Sequence, residues 1–468
     1  MRVKETYWLV ALAVFVPGCV LTNPTDPYTG ITAHEQRQYP AGGHPSATTP
    51  PVQGPITLSE AIGVALANNP DVAAADWDYR AAQARHDYAS AVQLPQVSLV
   101  GGYAHHLDEQ RLLPVRQPGD PSILSRDIVS GDLVLTMPIF TGGRLVNQIK
   151  TAELLQEAAG HRLARNREEL VFNVSSVFYG ILAQRQVVES LEFSVRTLQE
   201  HLGRVNALVA VQKAARVDRL RTEVRLADVQ QRLVQENNVM AIQHRALASL
   251  LGSVDRSEAL AVRGDLEVDQ KASVPDLETA LERAWLSRDD YLAAKSALEA
   301  QARTVDAARA GYLPIVSLQG SYGGRWAVGS PTGTGDELDD VGRIGVGLGM
   351  LLFDGGQVNA QVREQRANFI AARERLRKLE LQVRLEIETA LLNIRSSRER
   401  VTAIQTSVEQ AQESLRIERE KYDLGKGTIV DVLDAQAALL EVQTGYYRVM
   451  ADYNISIAQW RLAVGEEI

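Results

Sequence analysis

The chain states the same pattern twice, about two hundred residues apart. Leu58-Ser59-Glu60-Ala61 returns as Leu277-Glu278-Thr279-Ala280, and Leu94-Pro95-Gln96-Val97-Ser98-Leu99 returns as Leu313-Pro314-Ile315-Val316-Ser317-Leu318. Pro138-Ile139-Phe140-Thr141-Gly142-Gly143-Arg144 returns as Leu351-Leu352-Phe353-Asp354-Gly355-Gly356-Gln357. Val217-Asp218-Arg219-Leu220 returns as Val430-Asp431-Val432-Leu433, and Leu251-Gly252 as Val464-Gly465. The offset is 219 at the prolines (314 − 95) and 213 at the glycine pairs (355 − 142), and it stays 213 to the last glycines (465 − 252). One loop between proline and glycine pair therefore changed length while the flanking segments kept register. A unit of this size is too long for a solenoid repeat. It predicts two copies of a large motif around a common axis.

Within each copy, two short segments alternate with period two. Val97-Leu99-Gly101-Tyr103 and Val129-Gly131-Leu133-Leu135-Met137 form the first pair; Val316-Leu318-Gly320-Tyr322 and Ile344-Val346-Leu348-Met350 form the second. The pattern predicts strands at about 96–107, 127–139, 314–327 and 340–352. Period-two segments of about ten residues are what a transmembrane β-barrel requires; two soluble hairpins on a helical domain are the plainer reading. Tyr312, Phe140 and Phe353 sit at one end of these segments and Tyr103, Tyr322 and Trp326 near the other, as interfacial aromatic girdles do. Four strands cannot close a barrel, and an open edge is not viable in lipid. Spanning strands thus require an oligomer, and two, three or four subunits all satisfy closure.

The rest reads as helix. Segments 57–68 and 71–93 are separated by Asn68-Asn69-Pro70, a break that proline imposes on the residue before it. Segments 144–210 and 216–251 follow; the second copy gives 276–287, 289–312, 356–424 and 428–464. A helix of about 65 residues is about 100 Å long, which suits a coiled coil or a tube wall rather than a globule. The first repeat is placed at 56–263, a connector at 264–275, and the second repeat at 276–468.

The amino terminus reads as an export signal at 1–18, with Arg2 and Lys4 before an apolar stretch from Tyr7 to Val16. It ends at Val16-Pro17-Gly18-Cys19, which resembles a bacterial lipobox, so Cys19 is the expected lipidation site; it is the only cysteine. Val20, rather than Asp, follows it and favours the outer membrane. Residues 19–55, rich in Pro, Gly, Thr and His, read as a tether between lipid and folded body.

A net charge of −9 argues against general nucleic-acid binding. Gly345-Val346-Gly347-Leu348-Gly349 is a glycine run inside a strand pattern, with no helix opening behind it as a phosphate cradle requires. His105-His106, a pair near a loop, reads more plainly as polar surface than as a metal site, and the acidic loop at Asp336, Glu337, Asp339 and Asp340 lacks calcium-loop spacing. No catalytic motif is present, so the expectation is a non-enzyme without cofactor beyond lipid on Cys19.

Tyr422-Asp423-Leu424-Gly425-Lys426-Gly427-Thr428-Ile429-Val430-Asp431-Val432-Leu433-Asp434-Ala435-Gln436 resembles the carboxy-terminal helical hairpin of the outer-membrane efflux protein (TolC) family. The duplication, the Leu-Pro strand entries, the Phe-x-Gly-Gly exits and Leu462-Ala463-Val464-Gly465 fit it over about 56–466. The lipobox and tether resemble the lipoprotein branch that serves resistance-nodulation-division efflux systems. The resemblance implies a mainly α fold with a membrane β-barrel portion: a homotrimer with a twelve-stranded barrel in the outer membrane on a long periplasmic α-helical barrel. It implies a passive exit duct whose partners are a periplasmic adaptor and an inner-membrane pump.

It further implies that Asp431 and Asp434 ring the periplasmic entrance, while Asp218 and Tyr422 help hold the closed state. The two aspartates are at i, i+3 and share a helix face; six carboxylates in a trimer would form a cation-favouring ring. Two solvated carboxylates near a helix start are the plainer account of that spacing. Gly427 departs from the family, whose close members carry a clamping arginine there. The rival to a duct is a helical periplasmic scaffold or adaptor lipoprotein without a channel.

Overall fold

The computed structural model describes residues 54–112, 124–252, 261–268, 276–327 and 339–466, all within one compact unit. The signal segment, Cys19, nearly all of the tether, Asp336 and Glu337 lie outside the described residues. In chain order the elements are α1 (Leu58–Asn68), α2 (Pro70–Ala91), β1 (Gln96–Arg111), β2 (Leu124–Phe140), α3 (Arg144–Ala210) and α4 (Arg216–Leu250). The second repeat supplies α5 (Leu277–Ser287), α6 (Asp289–Arg309), β3 (Ile315–Ala327), β4 (Asp339–Gly349), α7 (Gln357–Asp423) and α8 (Ile429–Val464). Among the described residues no helix is long and apolar enough to cross a membrane.

Local chemistry sets these boundaries. Thr57 and Glu60 form a capping box at the start of α1, and Asn69 ends α1 while its side chain accepts from the N–H groups of Asp71 and Val72 to cap α2. Pro70 occupies the first turn of α2, where its missing donor costs nothing. Gly142-Gly143 and Gly355-Gly356 take left-handed backbone angles (φ 64, 84, 64 and 89), turning the chain from sheet into α3 and α7. Those two helices are 67 residues each, or about 100 Å.

The duplication extends to the packing. In the first repeat Ala61, Ala65, Leu170, Val174, Ile181, Leu247 and Leu251 form a buried core. In the second, Ala280, Ala284, Val383, Ile387, Ile394, Trp460 and Val464 occupy the equivalent places. Each deeply buried Val, Leu or Ile here contributes about 1.5–3 kcal/mol. The breaks between short helices are tied to the last turn of the hairpin helices in both copies: Asn69 Nδ2 donates to Leu250 O (3.0 Å) and Arg288 Nη1 to Ala463 O (3.1 Å). The copies differ in chemistry at this point. Arg288 is 1% exposed and also forms a bidentate pair with Asp290 and an ion pair with Glu386.

The strands form one antiparallel sheet in the order β1-β2-β3-β4. β1 runs on past the apolar alternation to Arg111, with an irregularity between His105 and Gln110. β4 ends at Gly349, and Leu351, Leu352 and Phe353 follow as an exposed apolar link to α7.

Candidate channel wall and periplasmic tip

The sheet register sorts the side chains onto two faces. Leu99 pairs with Leu133, Leu133 with Tyr322, and Leu318 with Val346, so these residues share one face with Val97, Leu135, Met137 and Ile344. Tyr103 and Trp326 stand toward the loop end of that face, both opposite Val129, and both are exposed. The other face carries Gln96, Ser98, Ser130, Asp132, Ser317, Gln319, Ser321, Arg325 and Arg343. Arg325 donates to Asp132 across the sheet at 2.8 Å. Gly323 is opposite Asp132, and a Cβ there would fall 2.7 Å from Asp132 Cα; only glycine admits the aspartate at that rung. One apolar and one polar face, in four strands with two free edges, is the wall of a water-filled barrel.

His105 and His106 point to opposite faces, so the pair cannot chelate one ion. His105 Nδ1 lies 2.7 Å from Asp127, which also accepts from Tyr103 Oη at 2.6 Å. Among the described residues no cluster of His, Cys, Asp and Glu could hold a metal.

The opposite end of the long helices carries the sequence-predicted gate residues. The α3–α4 and α7–α8 turns share one geometry: Lys213 N donates to Leu208 O and Lys426 N to Lys421 O, each at 2.8 Å, closing the helix end as a Schellman turn. Gly425 takes the left-handed position (φ 69) in one, and Gln212 (φ 59) takes it in the other. Asp431 then caps α8: Thr428 N and Oγ1 donate to Asp431 Oδ2 at 2.9 and 2.6 Å, and Asp431 N donates to Thr428 Oγ1. These bonds hold the Asp431 carboxyl below the usual carboxylate range, side-chain bond first. Asp434 is exposed beside it on the same face and borders an open groove with Leu220, Val224, Arg225 and Asp228 of α4. Asp218 repeats the cap on α4, accepting from Ala215 N at 3.2 Å.

Tyr422 packs against the buried cluster that includes Leu198, Ile429 and Leu433. Burial first, then the nearby carboxylates of Asp218 and Asp423, raise its phenol pKa. The fold thus brings Asp218 and Tyr422 together and sets Asp431 and Asp434 on one exposed face. Sequence reasoning missed the neighbours of Tyr422. His201 of α3 lies ring to ring with it at 5.8 Å, in a cavity also lined by Arg204, Arg419 and Asp423. Burial, then Arg204 and Arg419, lower the His201 pKa against the pull of Asp423. A second missed cluster lies about a third of the way along α3 from the sheet. His161 Nδ1 is 2.6 Å from Asp289 Oδ1, Arg165 pairs with Glu168 and Glu169, and burial pushes the Glu168 carboxyl up to about 7 against the charge of Arg165. A lone histidine or an i, i+3 pair gives no signal of such partners in sequence.

A family profile described as "Outer membrane efflux protein" matches residues 61–253 and 280–466, one match per repeat. The chain belongs to that family. Outer membrane protein TolC of Vibrio cholerae is 22% identical over 410 residues, which cover 87% of this chain and 90% of that protein. The crystal structure of the outer membrane protein VceC from Vibrio cholerae superposes with a TM-score of 0.74 at 20% identity, over 87% of this chain and 96% of that one. The Campylobacter jejuni CmeC outer membrane channel does so with a TM-score of 0.76 at 17% identity, over 87% and 85%. The family is one of channel proteins rather than enzymes, and its place is the outer membrane.

Proposed function

We propose that the protein is the passive exit duct of a tripartite efflux or export system, carrying substrates from an inner-membrane pump and a periplasmic adaptor to the exterior. The observation that carries this reading is the sheet: one face apolar and girdled, one face polar, two unpaired edges, standing on helices of 67 residues. Three copies supply twelve strands, an even-numbered closed barrel, and the helices continue it as a tube through the periplasm. Cys19 carries the lipid that tethers the folded body. At the tip, the exposed Asp431 and Asp434 of three subunits form an acidic, cation-favouring entrance, and Asp218 and Tyr422 brace the neighbouring turn. The deduced division of labour leaves the energy to the pump.

The experiment is extraction and imaging of a Cys19→Ser variant. A duct stays in the membrane until detergent is added and gives three-fold particles with a tube about 100 Å long. A helical scaffold lipoprotein is released in soluble form once its anchor is removed, and that outcome would overturn the duct.

A further inference from the structure

The free edges of the sheet can be assigned a partner residue by residue. The two hairpins obey the repeat offsets rung for rung as far as His105, where the β1–β2 irregularity begins. Adding 219 to β1 and 213 to β2 turns the observed Leu99↔Leu133 into Leu318↔Val346 and Gln96↔Thr136 into Ile315↔Gly349, and both are observed β3–β4 pairs. The β2–β3 seam joins the end of one repeat to the start of the next. In a closed ring β4 must meet β1 of another copy in the same relation.

Resting on the duct reading, we infer that each subunit boundary repeats the β2–β3 register. The observed Asp132↔Gly323, Leu133↔Tyr322 and Val134↔Ser321 then become three boundary pairs. Gly345 pairs with Ala104 of the partner subunit, Val346 with Tyr103 of the partner subunit, and Gly347 with Gly102 of the partner subunit. The faces agree: Val346 and Tyr103 are both on the apolar face, Gly345 and Ala104 both on the polar one. A slip of one residue would turn lipid-facing side chains into the lumen, so only slips of two compete. The edge residues support a covered seam, since Leu99, Ile344, Val346 and Leu348 are 78%, 77%, 65% and 73% exposed in the single chain, against 45% for Leu133 inside the sheet.

The register builds a feature that no single subunit contains. The observed Ser130↔Arg325 rung becomes Arg343 opposite His106 of the partner subunit, on the lumen wall. Arg325 is neutralised by Asp132 within its own subunit, whereas Arg343 forms no ion pair with a described residue. The barrel lumen therefore carries a basic ring of three Arg343 groups set at the subunit boundaries, at the end remote from the acidic tip.

Engineered cysteines in a Cys19→Ser background test the register. Directly opposed residues fall within the Cα separation a disulfide tolerates, while pairs displaced by two residues are about 7–8 Å apart. Gly345→Cys with Ala104→Cys is expected to oxidise to a covalent band at three times the chain mass on a non-reducing denaturing gel. Gly345→Cys with Gly102→Cys, and with His106→Cys, are expected to stay at monomer mass. Cross-linking of either displaced pair in preference, or of none of the three in particles that are three-fold, overturns the register. Particles that are monomeric before oxidation refute the duct reading itself, a separate outcome.

Discussion

Replacing Arg288 with methionine is the sharpest test of how the second repeat is held together. The guanidinium is 1% exposed and has four polar contacts: Asp290 Oδ1 at 2.7 Å, Asp290 Oδ2 at 2.9 Å, Ala463 O at 3.1 Å and Glu386. Methionine keeps the apolar stem and removes all of them. Burial works to raise the Asp290 pKa, and the bonds and charge of Arg288 outweigh it and hold the group low. Without the arginine that carboxylate is left partly buried and unpaired. Breaking a buried pair by removing one partner costs about 3–5 kcal/mol; Asp290 and Glu386 side chains keep 25% and 36% exposure, so the lower end, about 3 kcal/mol, applies. The assay is guanidinium unfolding of the detergent-solubilised protein followed by helical circular dichroism, with Arg377→Met, an exposed position on α7, as control. The midpoint of the Arg288 variant should fall clearly below both parent and control. A loss within about 0.5 kcal/mol of the control, the usual range of surface substitutions, would refute the view that this arginine ties the α5–α6 break to α7 and α8.

Three further outcomes are expected. Gln212→Gly relieves a left-handed side chain at the α3–α4 turn and stabilises that turn by up to about 1 kcal/mol, less the entropy glycine adds to the unfolded chain; amide exchange at Lys213 and Ala214 should slow, and faster exchange would contradict it. Glu168 has a folded pKa of about 7 against 4.5 in the unfolded chain, so its contribution is fully present below 4.5 and is lost as pH rises through about 7; Glu168→Gln should flatten that slope, and an identical pH profile would remove Glu168 as its source. Asp431→Ala combined with Asp434→Ala should reduce the cation preference of single channels in planar bilayers while leaving the oligomer assembled, and an unchanged reversal potential would take both residues out of the entrance.

Features of local chemistry were readable in the chain. Asn69-Pro70 marks the α1–α2 break, Gly142-Gly143 and Gly355-Gly356 mark the sheet-to-helix turns, and alternation from Val97 to Tyr103 marks a strand, because each acts on its own backbone. The strand's continuation to Arg111 was not legible, since beyond Tyr103 the apolar alternation stops and only pairing with β2 keeps the chain extended. Asp431 was readable as a tip residue from its motif, but its cap on α8 depends on the rotamer of Thr428. Arg288 gave no signal: its partners Glu386 and Ala463 are 98 and 175 residues away. His201 and Arg419 likewise meet only because α3 and α7 converge around α8 at the tip.

The short and hairpin helices have a mechanical consequence. In each repeat a continuous helix of 67 residues runs beside two that meet end to end, of 22 and 35 residues in the first and 21 and 36 in the second. The meeting points are Gly252 against Asn68 and Gly465 against Arg288, where an added Cβ would fall 2.5 and 2.9 Å from the facing backbone. These are butt joints in a mast, and the repeat places both at the same height. A tube built this way bends at a ring of joints rather than along its staves.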